Sequence, residues 1–248
     1  MNPYIAELVG TALLVLFGNG VVANVVLART KGSGGGWIVI TAGWGCAVAL
    51  AVYAVGRISG AHLNPAVTVA LATIGAFSPS LVLGYVAAQM AGAFLGAILV
   101  YLSYLAHWTP TESADAKRAC FCTSPAMPHR GAAFMTEFIG TAVLIFIVLA
   151  FGRVMAGAAS DQQAWASAIN LWIGPALVGL LVLAIGLSLG GPTGYAINPA
   201  RDLGPRLAHA VLPIAAKGGS DWGYAWVPVV APLCGGVAGA QLFKFLGL

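Results

Sequence analysis

Charge is what this chain has least of. Only 7% of its 248 residues are Asp, Glu, Lys or Arg, while 60% are hydrophobic. Ordinary soluble domains carry about 25% charged residues. So few charges cannot cover a water-facing surface, and the composition is that of an integral membrane protein. A mean hydropathy of +0.92 agrees. Cysteine is scarce too: Cys46, Cys120, Cys122 and Cys234 show no metal-ligand spacing. Cys46 and Cys234 lie in apolar runs as packing residues, and Cys120 and Cys122 are too close in sequence to bridge easily. There is no nucleotide-binding motif and no nucleophile–base constellation, so neither energy coupling, enzyme activity nor a cofactor is expected. The net charge of +4 comes from basic residues scattered mostly in loops, which does not make a nucleic-acid surface. The N-terminus lacks a basic region, and Glu7 interrupts its apolar run. It reads as the start of a spanning helix, not a signal peptide.

Six runs are long enough to span, at roughly 20 residues per crossing: near 4–27, 37–56, 80–105, 132–152, 166–189 and 224–246. Segments 57–79 and 190–222 each carry an apolar stretch too short to cross, "PAVTVALATIGAF" and "PARDLGPRLAHAVL". Such lengths point to re-entrant pieces.

The chain also repeats. "ELVGTALL" at Glu7–Leu14 matches "EFIGTAVL" at Glu137–Leu144, and "SGAHLNPAV" at Ser59–Val67 matches "TGYAINPAR" at Thr193–Arg201. Three spans per half is an odd number, so the halves enter the membrane from opposite sides as an inverted repeat. The halves run over about 1–106 and 132–248, joined by a loop at 107–131, and form one domain over 1–248. The expected fold is an all-α membrane protein with six transmembrane helices plus two re-entrant half-helices. Backbone that is not helical at membrane depth must be buried by protein or line a water-filled cavity. A pore or a central binding site follows.

Asn64-Pro65-Ala66 and Asn198-Pro199-Ala200 start the two short helices: Asn is a strong N-cap and Pro is favoured at the first helical position. Two helix N-termini meeting near the midplane set partial positive charges there, each roughly +0.5 e. That opposes cations and protons, while the Asn amides still donate to a neutral molecule. The preceding residues Gly60, Ala61, His62, Leu63 and Gly194, Tyr195, Ala196, Ile197 are expected to be extended, with carbonyls forming an acceptor ladder. Donors at the middle and acceptors along the approaches suit water and hydroxyl groups.

The paired "SGAHLNPAVT" and "GYAINPARD", the inverted repeat and the two repeat glutamates resemble the aquaporin (major intrinsic protein) family over nearly the whole chain. Within it the chain resembles the aquaglyceroporins, or glycerol facilitators. The resemblance implies a passive channel for glycerol, water and small polyols or urea. It also implies a homotetramer in the lipid bilayer of the plasma (inner) membrane, with both termini cytoplasmic. Four positions carry over as an aromatic/arginine filter: Trp44, Gly186, Tyr195 and Arg201. Arg201 presents a fork of donors, and Trp44 with Tyr195 makes an apolar corner for the carbon backbone of a polyol. Water-selective relatives have histidine where Gly186 stands, and glycine leaves room for the aromatic at 195. Tyr195 itself departs from the phenylalanine common in this branch, and the direction of its hydroxyl is open. Asp202, Arg206 and Pro228 mark the glycerol branch; Asp202 and Arg206, one helical turn apart, are expected to pair and fix the loop.

Glu7 and Glu137 lie in apolar helices, where a carboxylate is costly. They are expected to accept backbone hydrogen bonds from the re-entrant loops; the rival role is proton relay. His62 is expected to orient a loop carbonyl rather than bind metal, and His107, His129 and His209 to lie in loops. Gly92-xxx-Gly96 and Gly235-xxx-Gly239 permit close helix crossing and are expected to join the two halves. Trp108, Trp165, Trp222 and Trp226 fall near span ends, as in an interfacial belt. "FCTSPAMPH" (Phe121–His129) resembles an extracellular loop dipping toward the channel mouth, with Ser124 in place of the expected tyrosine.

With both termini inside, Arg57, Arg153 and Lys244 fall inside against Arg29, Lys31, Lys117, Arg118, Arg130 and Lys217 outside. That is 3 against 6, the reverse of the positive-inside rule, even with Arg201 and Arg206 set aside in their re-entrant loop. Two other functions fit less well: a water-selective aquaporin, against which Gly186 and Asp202 argue, and a proton-coupled transporter using Glu7 and Glu137.

Overall fold

The structure, a computed structural model, describes residues 2–156 and 163–248. Among them there are helices and no strands: α1 (Pro3–Val26), α2 (Gly36–Ser59), α3 (Pro65–Thr73), α4 (Pro79–Ser103), α5 (Ala114–Ala119), α6 (Arg130–Ala156), α7 (Gln163–Leu189), α8 (Pro199–Val211) and α9 (Val227–Phe245). Six of these, α1, α2, α4, α6, α7 and α9, are long and apolar enough to cross a membrane. At 1.5 Å per residue the 24 residues of α1 reach about 36 Å, more than a hydrocarbon core of about 30 Å. The nine residues of α3 cover only about 14 Å, so it stops part-way.

Local sequence explains the starts and stops. Asn2, Asn64 and Asn198 each cap a helix with the side-chain oxygen, and a proline follows each one. Ser78-Pro79 opens α4 in the same way without a side-chain bond. Gly60, in the left-handed region at φ 81°, ends α2 and turns the chain into the first re-entrant loop.

The packing pattern recurs in the two halves. Helix α1 packs on α2 and α4, as α6 packs on α7 and α9. The halves meet through α2 on α7, α4 on α8 and α3 on α9. The glycine pairs do a different job from the one expected. A Cβ on Gly92 would lie 2.2 Å from the Leu8 carbonyl oxygen, and one on Gly96 2.5 Å from that of Ala12. Likewise Gly235 faces the Phe138 carbonyl and Gly239 that of Ala142. Both Gly-xxx-Gly pairs therefore lock α4 to α1 and α9 to α6 inside each half. The halves are joined elsewhere: a Cβ on Gly45 would lie 2.8 Å from the Gly179 carbonyl, and one on Gly179 2.5 Å from that of Gly45. Backbones this close need glycine on both sides.

Polarity is inverted relative to a soluble domain. Leu83, Trp172, Val211 and Phe245 are exposed, while Glu7, Asn19, Gln89, Glu137, Asp202, Arg206 and His209 are fully buried. Several expectations change accordingly. Cys46 and Cys234 are exposed rather than packed, whereas Cys120 and Cys122 are buried and unbridged. Trp165, Trp222 and Trp226 are exposed, but Trp108 is buried, stacked on Tyr101 and tilted against Phe121, with its indole N–H on the Tyr101 carbonyl. It is a core residue because the 107–131 loop folds back over it. His209 is helical, not in a loop; it lies in α8, bonded to Ser220 Oγ at 2.8 Å.

Candidate functional site

The two re-entrant loops meet through their asparagines. Asn64 Oδ1 accepts from Ala66 N at 2.8 Å, and Asn198 Oδ1 accepts from Ala200 N and Arg201 N. Capping by the oxygen settles which way each amide faces: its NH2 points out of the helix end. Asn64 Nδ2 donates to the Ile197 carbonyl and Asn198 Nδ2 to the Leu63 carbonyl, both at 2.8 Å. Each half-helix is thus tied to the other half's loop by one N–H of its cap residue. An amide carries two, so one donor per asparagine is left over.

The loops before the asparagines are not simply extended. Ala61, Leu63, Tyr195 and Ile197 have φ of 46°, 51°, 37° and 42°. In an extended strand successive N–H groups point to opposite sides. Here left-handed residues interrupt the extended backbone on both sides of His62 and of Ala196, so adjacent N–H groups point the same way. The glutamates take them up. Glu7 Oε1 accepts from His62 N at 3.0 Å and Oε2 from Leu63 N at 2.7 Å. Glu137 Oε1 accepts from Ala196 N at 2.9 Å and Oε2 from Ile197 N at 2.7 Å. Across a planar trans peptide the C=O points opposite to the N–H. The carbonyls of Ala61, His62, Tyr195 and Ala196 therefore turn away from the carboxylates. A buried carboxylate offers each of two converging amides an oxygen of its own, which accounts for a glutamate at each place.

On the far side of both loops lies a cavity of about 210 Å3. Gly60 to Asn64, Tyr195 to Asn198, Trp44 and Arg201 form part of its lining. Leu14, Val48, Val52, Val67, Leu71, Leu144, Val148, Val178 and Val182 form the rest. The lining combines the backbone and side-chain polar groups of the two loops with hydrocarbon, most of it from α1, α2, α6 and α7. Pro65, Ala66, Pro199 and Ala200 are buried in the first turns of α3 and α8, off the cavity.

Three of the four filter positions, Trp44, Tyr195 and Arg201, come together at this lining. The Arg201 guanidinium carbon lies 4.1 Å from the centre of the Trp44 ring, a cation–π contact. Its side chain makes no hydrogen bond with the described residues. Gly186 is not on the cavity: Tyr195 covers it. A Cβ at Gly186 would lie 2.8 Å from Tyr195 Cζ and 3.0 Å from its hydroxyl oxygen. This also answers where the Tyr195 hydroxyl goes. It packs over Gly186, fully enclosed and without a hydrogen-bond partner among the described residues. Gly194 is likewise off the cavity, against Thr123.

Behind Arg201, Asp202 and Arg206 bind the loop that precedes α6. Asp202 Oδ2 accepts from both the backbone N and the hydroxyl of Thr123 at 2.7 Å. Arg206 donates to Asp202 and to the carbonyls of Thr123, Ser220 and Asp221. In that loop burial pushes the Cys122 thiol up to about 12; Asp202 adds to this, and Arg206, Arg118 and Arg201 partly offset it. Pro228 is buried in the first turn of α9.

Other partners escaped the sequence. Glu7 also accepts from Ser59 Oγ at 2.6 Å and Gln89 Nε2 at 2.8 Å, and Gln89 Nε2 reaches Thr68 Oγ1. A lone amide in an apolar span was the available signal for Gln89; Thr123 carried none. His62 bonds the Thr68 hydroxyl at 3.1 Å rather than a carbonyl, with its ring against Phe77 and Tyr85. Among the described residues no cluster of His, Cys, Asp or Glu could hold a metal.

Comparison with known proteins identifies the family. The family model for the major intrinsic protein matches residues 1–243. A Thermotoga maritima protein named a probable glycerol uptake facilitator is 58% identical over 246 residues, covering 99% of this chain and all of that one. The glycerol uptake facilitator protein of Bacillus subtilis is 51% identical, over 98% of this chain and 84% of its own. The X-ray structure of the aquaglyceroporin from Plasmodium falciparum superposes with a TM-score of 0.81 at 32% identity, covering 97% of this chain and 94% of that one. With a family model spanning nearly its whole length and relatives at half identity or more, this chain belongs to the major intrinsic protein family, as a multi-pass membrane channel and not an enzyme.

Proposed function

We propose that the protein is a passive channel for glycerol and other small neutral solutes, with accompanying water flow and exclusion of protons and ions. The observation that carries this is the two-sided cavity. Carbonyls of the two loops, the spare asparagine donors and Arg201 form one side, and seven aliphatic side chains of α1, α2, α6 and α7 the other. A polyol is two-sided in the same sense, with hydroxyls along one edge and C–H along the other. Its relatives named for glycerol uptake support the choice of solute.

Each filter residue then has a role. Arg201, with no carboxylate partner, offers its donors to solute hydroxyls and repels cations. Trp44 and Tyr195 form the apolar corner, and Gly186 acts from behind by making room for the Tyr195 ring. Asn64 and Asn198 donate at the narrow centre, where the N-termini of α3 and α8 oppose a cation. Glu7 and Glu137 hold the loops so that their carbonyls face the permeant. Asp202, Arg206 and Pro228 hold the extracellular framework. The two halves, about 1–106 and 132–248, form an inverted repeat. The assembly is a homotetramer in the plasma membrane with cytoplasmic termini.

Stopped-flow light scattering on proteoliposomes tests the proposal. Glycerol is expected to enter well above the rate of empty liposomes, without saturation at modest concentration and without response to a proton gradient. Fast water flux with no glycerol flux above that of empty liposomes would sink it in favour of a water-selective channel.

A further inference from the structure

Tyr195 has little of its own to hold its ring in place. Its backbone is left-handed at φ 37°, and its hydroxyl has no hydrogen-bond partner among the described residues. The ring position must come from what packs on it. Two glycines one turn apart, Gly186 in the last turn of α7 and Gly190 just past its end, make the bed: a Cβ on Gly190 would lie 2.5 Å from Tyr195 Cδ1, and one on Gly186 2.8 Å from Cζ. The other contact comes from Trp37, in the first turn of α2. Its ring meets Tyr195 edge-on, centroids 5.7 Å apart at 81°. Its indole N–H donates to the Gly186 carbonyl at 2.9 Å. Its Cζ2 lies 2.7 Å from where a Gly190 Cβ would stand. Trp37 therefore ties the start of α2 to the last turn of α7, with the Tyr195 ring caught against both. It does not line the cavity.

We propose that Trp37 is a positioning residue for solute selectivity: it holds the Tyr195 ring against α7 and thereby sets the width left between Tyr195, Trp44 and Arg201. This rests on the channel function proposed above. A tryptophan near a span end also serves as an interfacial anchor. An anchor affects stability and leaves size selectivity alone, so the two roles part in a flux ratio.

The test compares water, glycerol and the four-carbon polyol erythritol in proteoliposomes of wild type, Trp37→Ala, Trp37→Phe and Gly190→Ala. Losing Trp37 frees the ring to withdraw from the cavity, so Trp37→Ala is expected to raise the erythritol-to-glycerol flux ratio roughly fivefold, a modest pocket effect. Trp37→Phe keeps an aromatic ring but loses the indole N–H and part of the ring, so its ratio is expected between those of wild type and Trp37→Ala. Gly190→Ala puts a methyl 2.5 Å from both the Gly186 carbonyl oxygen and Tyr195 Cδ1 and 2.7 Å from Trp37 Cζ2; it wedges the ring off its bed and is expected to lower glycerol flux relative to water by about threefold or more. An erythritol-to-glycerol ratio within twofold of wild type in Trp37→Ala, or one uniform change in all three fluxes, overturns the proposal. An unchanged glycerol-to-water ratio in Gly190→Ala does so too, and decides alone if Trp37→Ala does not fold. Should wild type pass water but no glycerol, the glycerol function fails first. Trp37→Ala is then expected to let glycerol through above empty liposomes, and its failure to do so overturns the role of Trp37.

Discussion

Asp202 pairs with Arg206, one helical turn along α8, at 2.8 Å, with both side chains fully buried. Its neighbour Arg201 gets no share of that carboxylate, whose other contacts are with Thr123. The pair thus does two things at once. It fastens α8 to the loop before α6, and it leaves the cavity-lining arginine without a carboxylate in contact.

Removing the carboxylate charge should therefore be costly. Breaking a buried pair from one side costs roughly 3–5 kcal/mol, because the remaining charge stays buried. Arg206 keeps the carbonyls of Thr123, Ser220 and Asp221, which places Asp202→Asn near the lower end. At about 2–4 °C per kcal/mol for a chain this size, its apparent melting midpoint in detergent is expected to fall by roughly 6–12 °C. The double variant Asp202→Asn/Arg206→Met should recover part of that loss, since the uncompensated charge is gone. A midpoint equal to wild type in the single variant would show that the pair does not hold the loop.

Gly186→Ala tests the aperture at its back wall. The added methyl would stand 2.8 Å from Tyr195 Cζ and 2.9 Å from Thr41 Cγ2. The ring has to move, and the cavity is the open side. Glycerol flux is expected to fall at least about threefold more than water flux, with the overpacking itself costing roughly 1–3 kcal/mol. An unchanged ratio in the stopped-flow assay would mean that Gly186 does not govern the width.

Some of this architecture is plain in the sequence and some is not, for physical reasons. The six spans and the two short helices are legible because bilayer thickness imposes length and because Asn-Pro marks a helix start. Boundaries such as Pro3–Val26 and Pro79–Ser103 fall within two residues of those expected. The partners of Gly92 and Gly235 were not legible. A Gly-xxx-Gly pair announces a close crossing but not the helix crossed, and here it is the first helix of the same half. The alternating backbone of Ala61, Leu63, Tyr195 and Ile197 was hidden too, because none of these residues favours positive φ by itself. The buried glutamates stabilise it: that they take up loop N–H groups was legible, but not the left-handed residues that turn two adjacent N–H groups to each carboxylate. Trp37 could not be told from an interfacial anchor without its contact to Tyr195.

Glu7→Gln separates a structural carboxylate from a proton relay. The wild-type side chain accepts four bonds, from Ser59, His62 N, Leu63 N and Gln89. A glutamine turns an NH2 toward two of those donors, leaving buried N–H groups unmet at about 1–3 kcal/mol each. Lower stability and lower glycerol flux are expected together, with no change in the response to a proton gradient. If instead wild type accumulates solute under a proton gradient and Glu7→Gln abolishes that accumulation at full stability, the carboxylate is a relay and the protein is not a passive channel.

The four thiols are expected to differ in reactivity by place, not by sequence neighbourhood. Cys120 and Cys122 are adjacent but for one residue, and both are buried in the loop before α6. Burial pushes the Cys120 thiol up and that of Cys122 to about 12. The thiolate is the reacting form. A raised value means it forms only well above physiological pH, so at pH 8 both thiols stay protonated. A charged, water-soluble maleimide applied to proteoliposomes at pH 8 should leave both unlabelled, and SDS should expose both. Peptide mass spectrometry reads the sites directly. Rapid labelling of Cys122 without denaturant would show that the Thr123–Asp202 clasp opens, which would also undo the argument that Asp202 and Arg206 keep the channel mouth in one fixed shape.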